Sequence, residues 1–101
     1  MAGDQDFTLH NDTGWRITMV YAEPESNTKD WGKEMLDGDT LADGAEQDLA
    51  FSGYGDECDF GLLVTDGHGK DHEFHHIDLC RFTDIWLYRQ SGQLRWKGTN
   101  G

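Results

Sequence analysis

The chain has 101 residues, enough for one domain with a single hydrophobic core. Its formal net charge is −12, from 20 acidic and 8 basic side chains, which argues against direct binding to nucleic-acid phosphates or to anionic membrane surfaces. The four Trp, five Phe and three Tyr provide bulky core material and argue against disorder, and no apolar run approaches the roughly 20 residues that cross a membrane as a helix.

Three segments in the first half of the chain are predicted to form β-strands, and in the first two of them apolar and polar residues alternate, the pattern of half-buried strands. The first segment covers 7–11 and the second covers 15–22, and one longer strand with a bulge at Gly14 is the alternative. The inward face of the second segment is predicted to carry Trp15, Ile17, Met19 and Tyr21. The third segment covers 45–52, with Leu49 and Phe51 predicted to face inward.

A polar loop over 23–30 and a single helical turn over 31–36 are predicted between the second and third strands. Asp30 is a residue type that caps helix N-termini, and Gly38 is one that ends helices. A helical turn this short is unstable alone, so its apolar side chains are expected to dock on the rest of the domain.

The centre of the chain is predicted to form a β-hairpin from 58–65 and 72–80, which flank a polar, glycine-bearing connection. If the turn is centred near Gly69, Cys58 and Cys80 face each other directly across the strand pair. Opposed Cβ atoms in such a pair are about 4.5–5.5 Å apart, which suits a disulfide bond. Two reduced, buried thiols are the alternative interpretation.

The last part of the chain is predicted to form a strand over 82–89, a tight turn at Ser91 and Gly92, and a returning strand over 93–96. Residues 97–101 are predicted to form a frayed tail.

These elements together predict an all-β fold: a small antiparallel β-sandwich of six or seven short strands with one helical turn. The whole chain, 1–101, is predicted to form a single domain whose ordered core covers about residues 7–96.

A set of short motifs along the chain carries a family resemblance. The motifs are Asn11-Asp12-Thr13-Gly14 followed by Ile17, Tyr21 and Pro24; Asp30-Trp31-Gly32 with Leu36 and Leu41; Cys58; Asp66-Gly67; and Ile77-Asp78-Leu79-Cys80. Together they resemble a family of small bacterial proteins, usually exported, whose members have no established biochemical role. The resemblance covers about residues 11–88; it implies the fold, an exported location and a Cys58–Cys80 pair, and it implies no catalytic residues.

Histidines in and next to the hairpin connection form one candidate metal site. His68 and His72 are close enough to share an ion, with Asp66 or Asp71 as a third ligand. His72 and His76 are about 13 Å apart along a strand and cannot chelate one ion together. Because no zinc-binding spacing accompanies these residues, solvated turn histidines are the alternative.

Carboxylates form a second candidate metal site. Asp37, Asp39 and Asp43 offer the hard oxygen ligands that calcium takes. A further carboxylate cluster, Asp56 and Glu57 with Asp59, offers the same ligands. The chain lacks the EF-hand calcium-loop pattern, so a solvated acidic surface is the alternative. Calcium is therefore the cofactor candidate, and the sequence requires no cofactor.

Trp31, Tyr54 and Trp96 are the candidate ligand-binding aromatics, because aromatic rings exposed on a sheet face stack against sugars. The alternative is that the tryptophans belong to the core. The chain contains no G-x-S-x-G, P-loop or H-E-x-x-H motif, and a paired cysteine is not a nucleophile, so the protein is predicted not to be an enzyme.

These observations favour a non-catalytic binding or interaction module, periplasmic or secreted, with a protein or glycan partner. Residues 1–6 lack the basic and apolar regions of a signal peptide, so the sequence is expected to be a mature form with an added methionine or an intracellular chain. The alternative function is a small acidic cytoplasmic inhibitor of phage type, which mimics nucleic acid and binds a basic host protein. The oligomeric state is left open.

Overall fold

Seven β-strands and one short 3₁₀ helix form the regular structure of the computed structural model, which describes residues 5–27, 30–51 and 54–100. The strands are β1 (Phe7–Asp12), β2 (Ile17–Pro24), β3 (Glu46–Leu49), β4 (Asp59–Asp66), β5 (Asp71–Asp78), β6 (Asp84–Gln90) and β7 (Gln93–Thr99), and the 3₁₀ helix covers Glu25–Asn27. The end of the third predicted strand at Ser52 and parts of the predicted loop and tail lie outside the described residues.

The strands form two sheets, with the orders β3-β1-β6-β7 and β2-β4-β5, and the all-β sandwich fold is confirmed. Among the described strands, β1 and β6 depart from the antiparallel pattern: they run parallel, with Leu9 beside Ile85. A parallel pair cannot be closed by a tight turn and needs a long connection. Here the connection contains the whole three-stranded sheet.

The core lies between the inner faces of the two sheets. Leu9, Ile85 and Leu87 from the four-stranded sheet meet Val20 and Val64 from the three-stranded sheet, and all five are fully buried. Burying a side chain of this kind stabilises a fold by about 1.5–3 kcal/mol. The predicted inward positions of Leu49 and Phe51 are confirmed as well.

The inward face predicted for β2 is wrong beyond Ile17. Ile17 pairs with Asp66 and Met19 with Thr65, so Thr18 is an extra residue that interrupts the alternation. After this bulge Val20 and Ala22 face the core, while Met19 is 45% exposed. A one-residue insertion moves every following side chain to the other face of a strand.

The helical turn predicted over 31–36 is not formed, and the helical turn of the described chain is the 3₁₀ helix at Glu25–Asn27. The segment instead covers the free edge of β2. The carboxylate of Glu34 accepts the backbone N–H groups of Val20 (2.9 Å) and Leu36 (2.7 Å), and Met35 N–H donates to the carbonyl of Val20 (2.8 Å). These bonds use backbone groups of β2 that would otherwise lie on an open sheet edge.

The predicted β4–β5 hairpin and its disulfide are confirmed: Cys58 and Cys80 are bonded, with Cα atoms 5.1 Å apart. The directly opposed register is wrong, because Leu79 N–H donates to the carbonyl of Cys58 (2.9 Å). The cysteines instead meet on a diagonal just beyond the ends of the paired strands. The turn is centred at residue 68 and not at Gly69, since Val64 pairs with His72, and an extra residue in β5, a bulge at His75 and His76, then shifts the later pairs by one position.

The β6–β7 hairpin turns at Ser91 and Gly92 as predicted. Its second strand continues to Thr99 and pairs there with Asp84, so the frayed tail predicted from Lys97 onward is wrong for the described residues. The ring of Phe82 lies against Gly98 and fixes this end of the strand.

Among the described residues, no helix has the length and hydropathy needed to span a membrane.

Candidate functional site

A cleft of about 370 Å³ opens beside the edge strands β2 and β3, which belong to different sheets. Its walls are the end of β2, the segment from Lys33 to Asp37, the segment from Asp48 to Phe51, and Tyr54. The cleft thus lies between the segment that covers the edge of β2 and the end of β3. Its volume is within the range of small-molecule sites.

Glu23 is the buried carboxylate of this cleft, with 9% of its surface exposed. Its Oε2 accepts hydrogen bonds from the Tyr54 hydroxyl (3.4 Å) and from Asn27 Nδ2 (3.5 Å). Both contacts exceed the usual lengths of such bonds, about 2.5–3.2 Å. Within residues 5–27, 30–51 and 54–100, this largely buried carboxylate is therefore held by two weak donors, although burying a charge is costly without strong partners.

Gly32 allows Glu23 to lie in this position. Its φ of +64° lies in the left-handed region, and a Cβ atom there would approach Glu23 Oε1 to 2.6 Å. The Asp30 carboxylate accepts the Gly32 N–H (3.2 Å) and stabilises the turn. The Asp30-Trp31-Gly32 motif is thus a turn that makes room for a carboxylate.

Tyr54 links the cleft to the core. Its ring packs edge-on against Phe51 and Phe60, with centroids 5.8 Å and 5.5 Å away. Burial raises the pKa of Tyr54, and the neighbouring Glu23 charge and hydrogen bond raise it further. The hydroxyl therefore stays protonated at neutral pH and donates toward Glu23.

The rim of the cleft is acidic. Asp37 and Asp48 are exposed at its edge, and Lys33 contributes a cation. The Lys33 ammonium lies 3.6 Å from Asp37, but both side chains are largely exposed, so this pair contributes little stability. The cleft consequently presents more negative than positive charge to a ligand.

The candidate calcium residues are not brought together. Asp37 lies beside Lys33, and Asp43 Oδ1 accepts the Gly14 N–H at 2.8 Å, so it holds the turn between β1 and β2. Asp39 is exposed and belongs to neither group of candidate metal ligands found among the described residues.

The candidate metal residues of the hairpin converge on Asp66, which is 2% exposed. His72 Nε2 lies 2.9 Å from Asp66 Oδ2, whereas His68 Nδ1 is 4.0 Å from Oδ1. Asp66 also accepts the backbone N–H groups of His68 (2.8 Å) and Lys70 (3.1 Å). Burial raises the pKa of Asp66, but the hydrogen bonds from His72 and these backbone groups leave it below its ordinary value of 3.8. The carboxylate is thus engaged in holding the turn.

The candidate aromatics lie in three separate places. Tyr54 lines the cleft, and Trp31 lies near His75 of β5, with ring centroids 6.4 Å apart. Trp96 is on β7 and packs against Phe82 at the edge of the core. Since β7 and β3 are opposite edges of the four-stranded sheet, Trp96 is three strand spacings, about 14 Å, from the cleft side.

Glu23 was missed by sequence reasoning. It follows an apolar strand and precedes Pro24, a context that predicts a solvated loop, and acidic residues are rarely buried without a partner. The signal that points to it is the glycine at position 32 in a segment otherwise predicted to be helical.

No protein-family model matches the chain, and no curated protein matches it. An NMR structure of a protein from Eubacterium rectale has a similar fold, with a TM-score of 0.66 and 17% sequence identity. The match covers 95% of this chain and 88% of that chain. At this identity the likeness shows the fold alone.

Proposed function

We propose that this protein is a non-catalytic binding module whose ligand places a cationic group, an amine or a guanidinium, against Glu23. The observation that carries this proposal is the buried Glu23 carboxylate, which faces a cleft and whose hydrogen bonds with described residues, Tyr54 and Asn27, are both long. A donor from a ligand would supply the strong, charge-assisted hydrogen bond that this carboxylate does not receive from the part of the chain that the structure describes.

The acidic rim supports a cationic ligand rather than a sugar. Asp37 and Asp48 flank the cleft, and the chain carries a net charge of −12, so cations are drawn toward it. A sugar platform would use exposed aromatic rings side by side, and Trp31 and Trp96 do not accompany Tyr54. The predicted glycan partner therefore becomes an alternative outcome of the binding test.

The Cys58–Cys80 disulfide supports an exported location, periplasmic or secreted. Disulfides persist in oxidising compartments and are rare in the cytosol. With no catalytic motif in the sequence, the proposed role is to bind a basic side chain of a protein partner or a small amine outside the cytoplasm.

Nuclear magnetic resonance titration of the isotope-labelled protein tests this function. The probes are arginine amide and, as neutral comparison, glucose, at an ionic strength of about 0.15 M, so that non-specific attraction is screened. We expect saturable shifts of the amide signals of Tyr54 and Met35 with arginine amide and none with glucose. Glu23→Gln should weaken this binding by about tenfold or more, since it removes a buried charge–charge contact.

Asp39→Asn is the matched control, because it removes an equal charge from an exposed position. It should leave the arginine amide affinity within about twofold, as screening of surface charges predicts. Equal weakening by both substitutions, or shifts spread over the acidic surface, would contradict a site at Glu23. Shifts at the cleft with glucose alone would favour the glycan partner.

The exposed carboxylates between residues 37 and 48 support a second candidate function, an acidic inhibitor that binds a basic host protein. Asp37, Asp39, Asp43, Glu46 and Asp48 are all exposed on one stretch of chain. Such a partner would be held by several surface charges, so its binding should fall steeply between about 0.05 and 0.5 M salt. Glu23→Gln should not affect it, which separates the two candidates.

A further inference from the structure

Three side chains with metal-ligand chemistry meet at the end of the three-stranded sheet where the 3₁₀ helix begins. Glu25 is the first residue of the 3₁₀ helix, and Asp59 is the first residue of β4. Pro24 pairs with Phe60, so Glu25 and Asp59 are the next positions along the same ladder. His76 lies in the bulge of β5, on the other side of β4.

The bulge brings the imidazole of His76 to the two carboxylates. His76 has a φ of +59°, a conformation that non-glycine residues rarely adopt. In this position its Nδ1 lies 3.2 Å from both carboxylate oxygens of Asp59. One ligand atom each from Glu25, Asp59 and His76 lies within 4.8 Å of the others.

These spacings suit a small divalent cation. Zinc is bound by nitrogen and oxygen at about 2.0–2.2 Å in tetrahedral geometry, which places neighbouring ligand atoms about 3.4 Å apart. The distance between His76 Nδ1 and the Asp59 carboxylate is already close to this value. Moving the Glu25 carboxylate closer would complete three protein ligands.

Glu25 is held in place independently of any ion. Its Oε2 accepts the backbone N–H of His76 (2.6 Å), and its Oε1 lies 3.0 Å from His75 Nδ1. The other ring nitrogen of His75 is 3.5 Å from Glu73. A carboxylate oriented by a backbone N–H, beside a histidine oriented by a second carboxylate, resembles the outer ligand shell that fixes metal ligands in proteins.

We propose that Glu25, Asp59 and His76 bind a divalent first-row transition metal ion, with a fourth position filled by water. One imidazole and two carboxylates suit Zn²⁺ or its neighbours better than Ca²⁺ or Mg²⁺, which prefer oxygen ligands alone. Asp59 and His76 are largely exposed, so an ion can enter from solvent. This site shares no residue with the cleft, so either proposal can fail without the other.

Titration of the oxidised protein with Zn²⁺ at neutral pH, followed by calorimetry and by thermal unfolding, tests this site. We expect one Zn²⁺ per chain and a melting temperature raised by about 5 °C or more near saturation, since the ion binds the folded state. At a fixed ionic strength of about 0.15 M, at which general repulsion is largely screened, Mg²⁺ and Ca²⁺ should leave the melting temperature unchanged. The disulfide must stay intact, because reduced Cys58 and Cys80 lie beside Asp78 and would bind zinc themselves.

His76→Asn is the decisive variant, because asparagine tolerates the left-handed backbone and keeps the N–H that Glu25 accepts. This substitution should weaken Zn²⁺ binding by more than about tenfold, since loss of an outer-shell partner alone typically costs about 10–100-fold and His76 is a proposed ligand. His68→Ala is the matched control, since this histidine is exposed at the hairpin turn, away from the site. It should bind Zn²⁺ as the wild type does.

Several results would overturn the site. They are no binding up to millimolar Zn²⁺, equal binding by His76→Asn and wild type, or loss of binding in His68→Ala with retention in His76→Asn. Asp59→Asn provides a second variant in case His76→Asn does not fold.

Discussion

At Gly98 of β7 the backbone passes directly against the ring of Phe82. A Cβ atom at this position would lie 2.4–2.6 Å from three ring carbons, closer than any ordinary contact. The ring of Phe82 in turn packs against Trp96. The backbone of Gly98 is not in the left-handed region, so its conformation does not require glycine. Glycine is required because the Phe82 ring leaves no space for a side chain.

Gly98→Ala should lower the free energy of unfolding by about 1–3 kcal/mol, because the added methyl group overpacks the contact with Phe82. Urea unfolding measures this change. Gly67→Ala is the matched control: its Cβ would lie 3.5 Å from the nearest atom, an ordinary contact, so a change within about 1 kcal/mol is expected. Equal losses in the two variants would contradict the packing argument.

Asp66 is a single side chain on which the stability of the hairpin turn depends. Asp66→Asn should lower the free energy of unfolding at pH 7 by about 1–3 kcal/mol, because charge-assisted bonds to His72 and to two backbone N–H groups are weakened. Its pKa in the folded protein is lower than the ordinary 3.8, so this stabilisation is complete above 3.8 and is lost as the pH falls through the folded pKa. The difference between wild type and variant should therefore shrink in acid.

Urea unfolding from pH 7 to below 3.8 measures the Asp66 difference. Asp39→Asn, at an exposed carboxylate, is the control and should change stability by less than about 0.5 kcal/mol. A penalty for Asp66→Asn that stays constant across this range would show that shape, and not charge, accounts for the loss.

The individual elements show what the sequence can and cannot predict. The β4–β5 hairpin and its disulfide were predictable, because turn residues and alternating strands are local signals. The bulges at Thr18 and at His76 were not, since a one-residue insertion leaves no mark in composition. The first bulge reverses the face of β2, and the second creates the proposed metal site.

The cleft could be predicted in part from the sequence. Tyr54 was named as a candidate, but the burial of Glu23 depends on contacts with segments that are distant in sequence.

The disulfide should contribute about 3 kcal/mol, since it joins residues 22 positions apart and restricts the unfolded chain. The double variant Cys58→Ala/Cys80→Ala should therefore melt roughly 10 °C or more below the oxidised wild type. Reduced wild type is the control and should melt close to the variant. Calorimetry measures the melting temperatures, and titration of free thiols in denatured, unreduced protein checks the bond. Two reactive thiols per chain would contradict it.

At the scale of the whole molecule, the two-sheet architecture was predictable from strand count and turn spacing, whereas the strand order was not. Residues of β1 and β6 are separated by most of the chain, and nothing local indicates that they are neighbours. Leu9 and Ile85 would be buried in any β-sandwich built from these strands, whatever the strand order. The hydrophobic pattern alone therefore cannot distinguish the parallel β1–β6 pair from other pairings.

The net charge of −12 should make stability depend on salt. At about 0.01 M salt the screening length is about 30 Å, comparable to the 34 × 29 × 23 Å extents of the molecule, so its acidic groups repel one another throughout. Raising sodium chloride to about 0.3 M should raise the melting temperature by several degrees, because this repulsion is screened. The same salt should have little effect at an acid pH where the net charge is near zero. A melting temperature that falls with salt at pH 7 would contradict self-repulsion.

The parallel pairing of β1 with β6 is among the last strand contacts that can form while the chain is being synthesised. The three-stranded sheet is drawn from residues 17–78 and its cysteine bridge is complete by residue 80, so both can form before the last two strands exist. Until then β1 has β3 alone as a neighbour, and the inner face of the other sheet is uncovered. The β6–β7 hairpin must then dock on β1 from the far end of the chain, a non-local step of the kind that slows folding. We therefore expect refolding of the full chain to be slow for a domain of this size, because the β1–β6 pair joins opposite ends of the sequence, and stopped-flow fluorescence measures this rate.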